Sequence, residues 1–366
     1  MYSENDFSRL ELSTQGFRSN YRYFRSLLRP STKLLVLVKA NAYGHGAVEF
    51  ASLLQAEGAD YLAVALPIEG VQLRRSGISL PILVLTSGVD FFPEIVESKL
   101  EPGIPNLYTL QSFCSYLDER GITEYPVHIK LDTGMHRLGF MSSELDELCE
   151  FLKAHPQIKV KSIYSHLSDA ECREYSLSQI DKFQRYAGAI GAALGYKPMW
   201  HVLNSAGIQL YPEYQFDMVR LGIGIYGISA VSDVKLSVVA SLKVKVLQVK
   251  HLTEEDGAVG YGRHGKIAAG GTDIATIPVG YADGIDRHLG CGAASFELNG
   301  QLVPTIGNIC MDMTMLDVTG LDVKAGDTVT IFGRNPRIET LAETLGTIPY
   351  EIFTSIPQRI ERIIKK

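Results

Sequence analysis

Through the first two-thirds of the chain, short apolar runs alternate with longer stretches in which apolar residues recur at helical spacing. The strand-like runs are KLLVLVK (33–39), YLAVAL (61–66), ILVLTS (82–87), EPGIPN (101–106), VHIKLD (127–132), SIYSHL (162–167), WHVLNS (200–205) and DMVRLG (217–222). Helix-like stretches, such as 142–155 and 175–195, lie between most of them. A succession of about eight strand–helix units predicts a (β/α)8 barrel. The prolines of EPGIPN fit an edge or irregular strand better than an interior one. Around residue 235 the pattern changes. Segment 238–250, VVASLKVKVLQVK, alternates over part of its length, and DTVTIFG (327–333) reads as another strand. Asp256-Gly257 and Asn299-Gly300 are hairpin-turn dipeptides between strand-like runs. One short helix is expected near 338–345. The pattern therefore predicts a barrel domain over 1–235 and a mainly β C-terminal domain over 236–366.

Composition narrows the classes. The 46% apolar content of the 366 residues is enough for two sizeable cores. No apolar run is long enough to span a membrane. The opening, MYSENDFSRL, is polar and acidic and does not read as an export signal. A formal net charge of −6 with no basic block argues against nucleic acid as a partner. The five cysteines, Cys114, Cys149, Cys172, Cys291 and Cys310, are widely spaced without a CxxC pair. That pattern speaks against a zinc site or a disulfide framework and fits a reducing cytoplasm.

Polar residues collect at or just after the C-terminal ends of the expected barrel strands: Lys39, Lys130, Asp132, His166, Asn204, Ser205 and Arg220. In a (β/α)8 barrel that rim carries the active site. Singly, each has an ordinary explanation. His166 would be a satisfied structural histidine, Asp132 would start the next turn, and Ser205 would cap a helix. Lys39 ends an apolar run. Desolvation there would depress its pKa and free an amine for Schiff-base chemistry, whereas a snorkelling lysine would do neither. Tyr43 and the glycines of VKANAYGHG (38–46) favour the first reading, since they add a phenol and open backbone close by. HVLNSAG (201–207) and VRLGIGIYG (219–227) read as phosphate cradles, through Ser205 and through the amides of Gly222 and Ile223. An amine and an anion site together point to pyridoxal 5′-phosphate. Arg220 would then face the pyridine nitrogen; its ordinary alternative is an ion pair with Asp217 or another carboxylate.

With VKANAYGHG, KLDTGMHRLGF (130–140), SHLSDAE (165–171), HVLNSAG, FDMVRLGIGIYG (216–227), VGYG (259–262), PVGYADG (278–284), GNICMD (307–312) and IPYEI (348–352) in this order, the chain resembles the alanine racemase family over nearly its whole length. The resemblance implies a fold-type III pyridoxal phosphate enzyme that interconverts L- and D-alanine for peptidoglycan. It implies that Lys39 holds the cofactor as an imine. Tyr43, Ser205, Gly222, Ile223 and Tyr350, with Asn204 beside them, match phosphate-side positions. Arg220 matches the partner of the pyridine nitrogen, His166 its support, and Arg137 the arginine near the substrate carboxylate. It further implies a homodimer in which Tyr261 of one subunit faces Lys39 of the other. Met311 and Asp312 would lie beside the substrate.

Lys130 shares a strand face with His128 and Asp132. Family members often carry a carbamylated lysine there, which predicts the same of Lys130. Asn308 stands where many relatives have arginine and Glu171 where many have aspartate, while Arg287 is retained; these match the family's substrate entrance and predict one charge contact fewer. A racemase of another small amino acid such as serine, or a fold-type III decarboxylase, is the competing reading. GNICMD offers no acidic cluster for the distal amine of a decarboxylase substrate. The histidines show no ligand spacing, so no metal is expected.

Overall fold

The computed structural model describes residues 7–365. Most of the acidic opening, residues 1–6, lies outside them. The described chain divides into two compact units: Arg18–Ala42 with Gly46–Leu236, and the described residues up to Phe17 with Tyr43–His45 and those from Ser237 onward.

Strand β1 is Ser8–Ser13. The first unit is built on β2 (Lys33–Leu37), β3 (Tyr61–Val64), β4 (Ile82–Val84), β5 (Glu101–Ile104), β6 (Tyr125–Lys130), β7 (Ile158–Tyr164), β8 (Met199–His201) and β9 (Met218–Leu221). All pairings are parallel, in the order β8-β7-β6-β5-β4-β3-β2-β9. Backbone bonds from Asp217 N to Trp200 O (3.1 Å) and from Arg220 N to Leu203 O (3.0 Å) link the two ends, so the sheet is a nearly closed barrel. Helices follow the strands, among them Leu145–Ala154 and Arg173–Leu194, close to the expected spans.

All eight expected strands are present. EPGIPN is the correction. Its first four residues form an interior barrel strand, β5, fully buried between β4 and β6. A nearly closed barrel has scarcely any edge for a proline to occupy, and the strand is too short for one missing N–H to matter. Gly103 suits the position, because a Cβ there would lie 2.5 Å from the Tyr164 hydroxyl.

The barrel interior is divided chemically. Leu35, Tyr61, Ala63, Leu83 and Met218 form an apolar cluster on β2–β4 and β9. The facing positions of β5–β9 are polar: Glu101, His128, Lys130, Ser162, Tyr164, His201 and Arg220. Hydrocarbon thus fills one side of the barrel, and a hydrogen-bonded set fills the other.

The second unit is mainly β. Its other strands are β10 (Ala240–Lys245), β11 (Gln248–Leu252), β12 (Ala258–Val259), β13 (Gly265–Lys266), β14 (Thr272–Ile277), β15 (Ser295–Leu298), β16 (Gln301–Pro304), β17 (Thr314–Asp317), β18 (Thr328–Phe332) and β19 (Glu361–Lys365). They make a six-stranded sheet, β16-β15-β18-β10-β1-β19, a three-stranded sheet, β11-β14-β17, and the pair β12-β13. The chain's first strand belongs to this unit and not to the barrel. Its alternating burial places Leu10 and Leu12 in the core, and it lies between β10 and β19. Asn299-Gly300 turns the hairpin β15–β16 as expected. Asp256-Gly257 does not turn a hairpin, since β11 pairs with β14 and β12 with β13; the Asp256 carboxylate instead accepts from Thr253 N at 2.7 Å. The expected helix is Ile338–Leu345, and a second follows at Pro349–Ser355. No helix among the described residues is long and apolar enough to cross a membrane.

Candidate active site

Lys39 lies just past the end of β2. The chain then turns left-handed: Ala40, Asn41, Ala42 and Tyr43 have φ of 50°, 54°, 52° and 54°. L-residues pay on the order of 1–2 kcal/mol each for that conformation. Glu69 holds the start of the turn. Its Oε1 accepts from Ala40 N at 2.6 Å, and its Oε2 accepts from Ala65 N at 2.7 Å and Leu66 N at 3.0 Å. Asn41 Oδ1 accepts from Ala47 N at 2.9 Å. Burial lowers the Lys39 pKa, Arg137 lowers it further, and Glu69 opposes them. Glu69 was missed in sequence; its only signal was a glutamate near the start of a helix.

Arg220 is 3% exposed and has no carboxylate partner among the described residues. Its Nη1 donates to His201 O and His201 Nδ1, both at 3.0 Å. Its Nη2 donates to Ser165 O (2.6 Å), Val202 O (3.0 Å) and His166 Nδ1 (3.2 Å). Asp217 is occupied elsewhere, accepting from Trp200 N at 2.8 Å. Burial brings the Arg220 pKa down to about 10, so it remains a cation near neutrality. His166 and His201 are held well below their ordinary value by burial and then by Arg220, so both rings are neutral. His201 was not foreseen as part of this arrangement.

Where the sequence suggested a phosphate cradle, Ser205 Oγ accepts from Gly222 N at 2.8 Å and Gly224 N at 3.2 Å. With both lone pairs used, its O–H is left to donate outward. Gly222 N is therefore engaged and not open as expected, while Ile223 N has no acceptor among the described residues. Asn204, not Ser205, caps the helix Ser205–Leu210: its Oδ1 accepts from Gly207 N at 2.9 Å.

Lys130 is buried, donates to Leu131 O at 3.0 Å and lies 5.3 Å from the Tyr164 ring centre. Asp132 Oδ1 accepts from Gly134 N (2.9 Å) and His136 N (3.1 Å), so it shapes the following turn. Arg137 is exposed and makes no ion pair among the described residues. Its charge nevertheless depresses Lys39, Lys130 and His166. Lys39, Lys130, Arg137, His166 and Arg220 thus form one electrostatic group in the barrel unit. Glu171 is exposed in the same unit.

In the second unit, Tyr43 and Tyr350 have ring centres 5.8 Å apart. Burial raises both phenol pKa values, so both are O–H donors at neutral pH. Tyr261 stands 74% exposed between Gly260 and Gly262, whose φ values are 77° and 71°. Asn308 is buried and donates from Nδ2 to Tyr261 O at 2.8 Å. A short amide fits under the Tyr261 turn and satisfies a backbone carbonyl. Met311 is 54% exposed, and Asp312 pairs with Arg359 at 2.8 Å. Arg359 also pairs with Asp283 at 2.6 Å. Arg287 is exposed.

Two family models match the chain: alanine racemase, N-terminal domain, over residues 12–230, and alanine racemase, C-terminal domain, over 239–364. The chain belongs to the alanine racemase family. An alanine racemase of Clostridium novyi is 35% identical over 377 residues, covering 97% of this chain and 95% of the relative. One from Synechocystis is 35% identical over 370 residues, covering 97% and 98%. The solved alanine racemase of Clostridium difficile 630 matches with a TM-score of 0.90 at 33% identity, covering 98% of this chain and 95% of the other. A Bartonella henselae alanine racemase described with covalently bound pyridoxal phosphate matches with a TM-score of 0.89 at 29% identity, covering 98% and 99%. Alanine racemases are pyridoxal-phosphate-dependent isomerases, and the chain is accordingly an enzyme that interconverts L- and D-alanine.

Proposed function

We propose that this racemase works with two bases of its own, Lys39 on one face of the substrate Cα and Tyr261, supplied by the second copy of a homodimer, on the other. The carrying observation is Tyr261, whose backbone carbonyl accepts from Asn308 while the residue stays 74% exposed; the desolvated Lys39 amine of the barrel unit supports the same reading. Met311 and Met313, 54% and 47% exposed in the same unit, supply apolar surface suited to a partner.

The donor set suits pyridoxal phosphate. Lys39 would hold its aldehyde carbon. In the barrel unit the Ser205 hydroxyl has only its proton left to give and the Ile223 amide lacks an acceptor among the described residues, which suits a phosphate. In the second unit Tyr43 and Tyr350 are protonated phenols, the donors that the family resemblance assigns to the phosphate. The bound cofactor supplies an electron sink that acidifies the substrate Cα proton. Arg220, fixed by three carbonyls, would meet the pyridine nitrogen as a hydrogen-bond donor that keeps its proton. That weakens the sink and favours quick reprotonation over transamination. Arg137, without a carboxylate partner in the described chain, is suited to the substrate carboxylate. Lys39 takes or returns the proton at Nζ, and Tyr261 does so at its phenol oxygen. The reading extends to a cytoplasmic enzyme that supplies D-alanine for peptidoglycan; free cysteines and the sequence resemblance support it.

Subunit mixing tests the proposal. Lys39→Ala and Tyr261→Phe should each lower L-to-D conversion, read by chiral chromatography, by at least about 10²-fold. Mixing the two variants by co-refolding should restore about a quarter of wild-type activity, since half the randomly paired dimers then contain one intact site of two. No recovery on mixing would place both bases in one subunit and sink the dimer reading.

A further inference from the structure

The polar side of the barrel contains an unbroken hydrogen-bond chain from the rim inward. Arg220 Nη1 meets His201 Nδ1 at 3.0 Å, and His201 Nε2 meets Ser162 Oγ at 2.7 Å. Ser162 Oγ meets His128 Nδ1 at 2.6 Å, and His128 Nε2 meets Glu101 Oε2 at 2.7 Å. Glu101 Oε1 in turn faces Lys161 Nζ at 3.4 Å. His128, Ser162 and His201 are fully buried, and Glu101 is buried too.

The two ends fix the direction of every bond. A guanidinium can only donate, so His201 Nδ1 must be bare and its proton must sit on Nε2. That proton goes to Ser162 Oγ. The serine hydroxyl then donates to His128 Nδ1, which puts the His128 proton on Nε2, facing Glu101. A carboxylate can only accept, so the chain closes without conflict. If His128 instead donated from Nδ1, Ser162 would receive two donors. Its own proton would have no acceptor among the described residues, at a site with no water access.

We propose that Glu101 is a positioning residue for Arg220, setting the proton order of this chain so that His201 presents a bare nitrogen to the guanidinium. This rests on the reading of Arg220 as the partner of the cofactor's pyridine nitrogen. Reversing the chain would bring an N–H of His201 against an N–H of Arg220, displacing the cation from its seat. Ionised Glu101 forbids that reversal. Its pKa is held down by the His128 hydrogen bond and by Lys161 against the opposing effect of burial.

The test uses the cofactor-loaded enzyme labelled with ¹⁵N-histidine, with ring signals assigned through His128→Asn and His201→Asn. Wild type should show a single tautomer, Nε2–H, at both His128 and His201. Glu101→Gln, whose amide can flip to donate, should abolish the single-tautomer pattern at His201, although that ring is three links away. Ser162→Ala should disturb His201 by itself, and Glu101→Gln added to it should then move His201 no further. In steady-state assays Glu101→Gln should lower kcat with KM little changed, and Glu101→Asp should restore part of it. Four results would each overturn the proposal: an Nδ1 proton on His201, a doubly protonated His128, a His201 signal indifferent to Glu101→Gln, or an equal effect of Glu101→Gln with and without Ser162. If Glu101→Gln fails to fold, the wild-type tautomers and Ser162→Ala still decide. Failure of the subunit-mixing experiment would leave these ring signals unaltered, so the two ideas stand or fall separately.

Discussion

Lys130 is a buried amine with one hydrogen bond, to Leu131 O, and two guanidiniums acting on it. Burial, then Arg220 and Arg137, bring its pKa down to about 7 despite Asp132. An amine half neutral near pH 7 and flanked by cations is well disposed to take up CO2 and become the carbamate anion expected from the sequence resemblance. The sign for stability follows. In the unfolded chain the lysine keeps its proton up to about 10.5, whereas the folded form, bare or carbamylated, has lost it above about 7. Between those values the unfolded state binds more protons, so stability rises with pH. Comparing denaturant midpoints at pH 7 and 9.5, wild type should gain about 3 kcal/mol over Lys130→Met, at about 1.4 kcal/mol per unit. Parallel profiles would mean the amine is solvated. A ¹³C carbonyl signal after incubation with labelled bicarbonate, absent from Lys130→Met, would identify the carbamate. Asn308 makes a second prediction at this scale. Asn308→Ala removes the hydrogen bond to Tyr261 O. It should cost about 1 kcal/mol in the transition state, a fall of about fivefold in kcat. An unchanged kcat would show that the Tyr261 turn holds itself. The Asn308 role was illegible in sequence because it depends on a backbone carbonyl 47 residues away. The desolvation of the Lys39 amine, by contrast, was legible from the apolar run before it.

At the scale of elements, the left-handed turn after Lys39 is the least conventional piece of backbone in the barrel unit. Nothing in VKANAYGHG except its glycines announces it, yet four non-glycine residues, Ala40, Asn41, Ala42 and Tyr43, take positive φ along with Gly44 and Gly46. Periodicity can find β2, but it cannot find a turn imposed by Glu69 from another segment. Ala40 is exposed, so strain there can be probed without disturbing packing. In a right-handed helix Ala→Gly costs about 1 kcal/mol. Here Ala40→Gly should be neutral or stabilising by up to about 1 kcal/mol, because relief of the left-handed strain offsets the greater freedom glycine gives the unfolded chain. A urea midpoint lowered by the usual helical amount would refute the strained conformation. β5 shows a second limit of pattern reading. Its prolines spoke for an edge, yet the number of strands and near-closure of the barrel decided its place. The rim residues were found because the barrel's alternation was found, and rim position follows from that alone.

For the molecule as a whole, the order of the chain does not map onto two successive blocks. β1 precedes the barrel in sequence but pairs with β10 and β19, which follow the barrel in sequence. The change of texture near residue 235 was visible because alternation replaces helical spacing there. The destination of β1 was not, because a six-residue alternating strand carries no mark of its partners. The same holds for assembly. Tyr261, Met311 and Met313 are more exposed than large apolar side chains ordinarily are, and the sequence has no pattern that separates such residues from core ones. If Tyr261 completes the site of a second copy, racemisation requires association, whereas cofactor attachment at Lys39 does not. Specific activity should therefore fall as the enzyme is diluted through its dissociation range, recover on reconcentration, and track the dimer fraction measured by sedimentation. The cofactor's absorbance per subunit should change far less over the same range. Activity per subunit that stays constant after the dimer has separated would show that one chain holds both bases, and the exposed Tyr261 would then need another explanation.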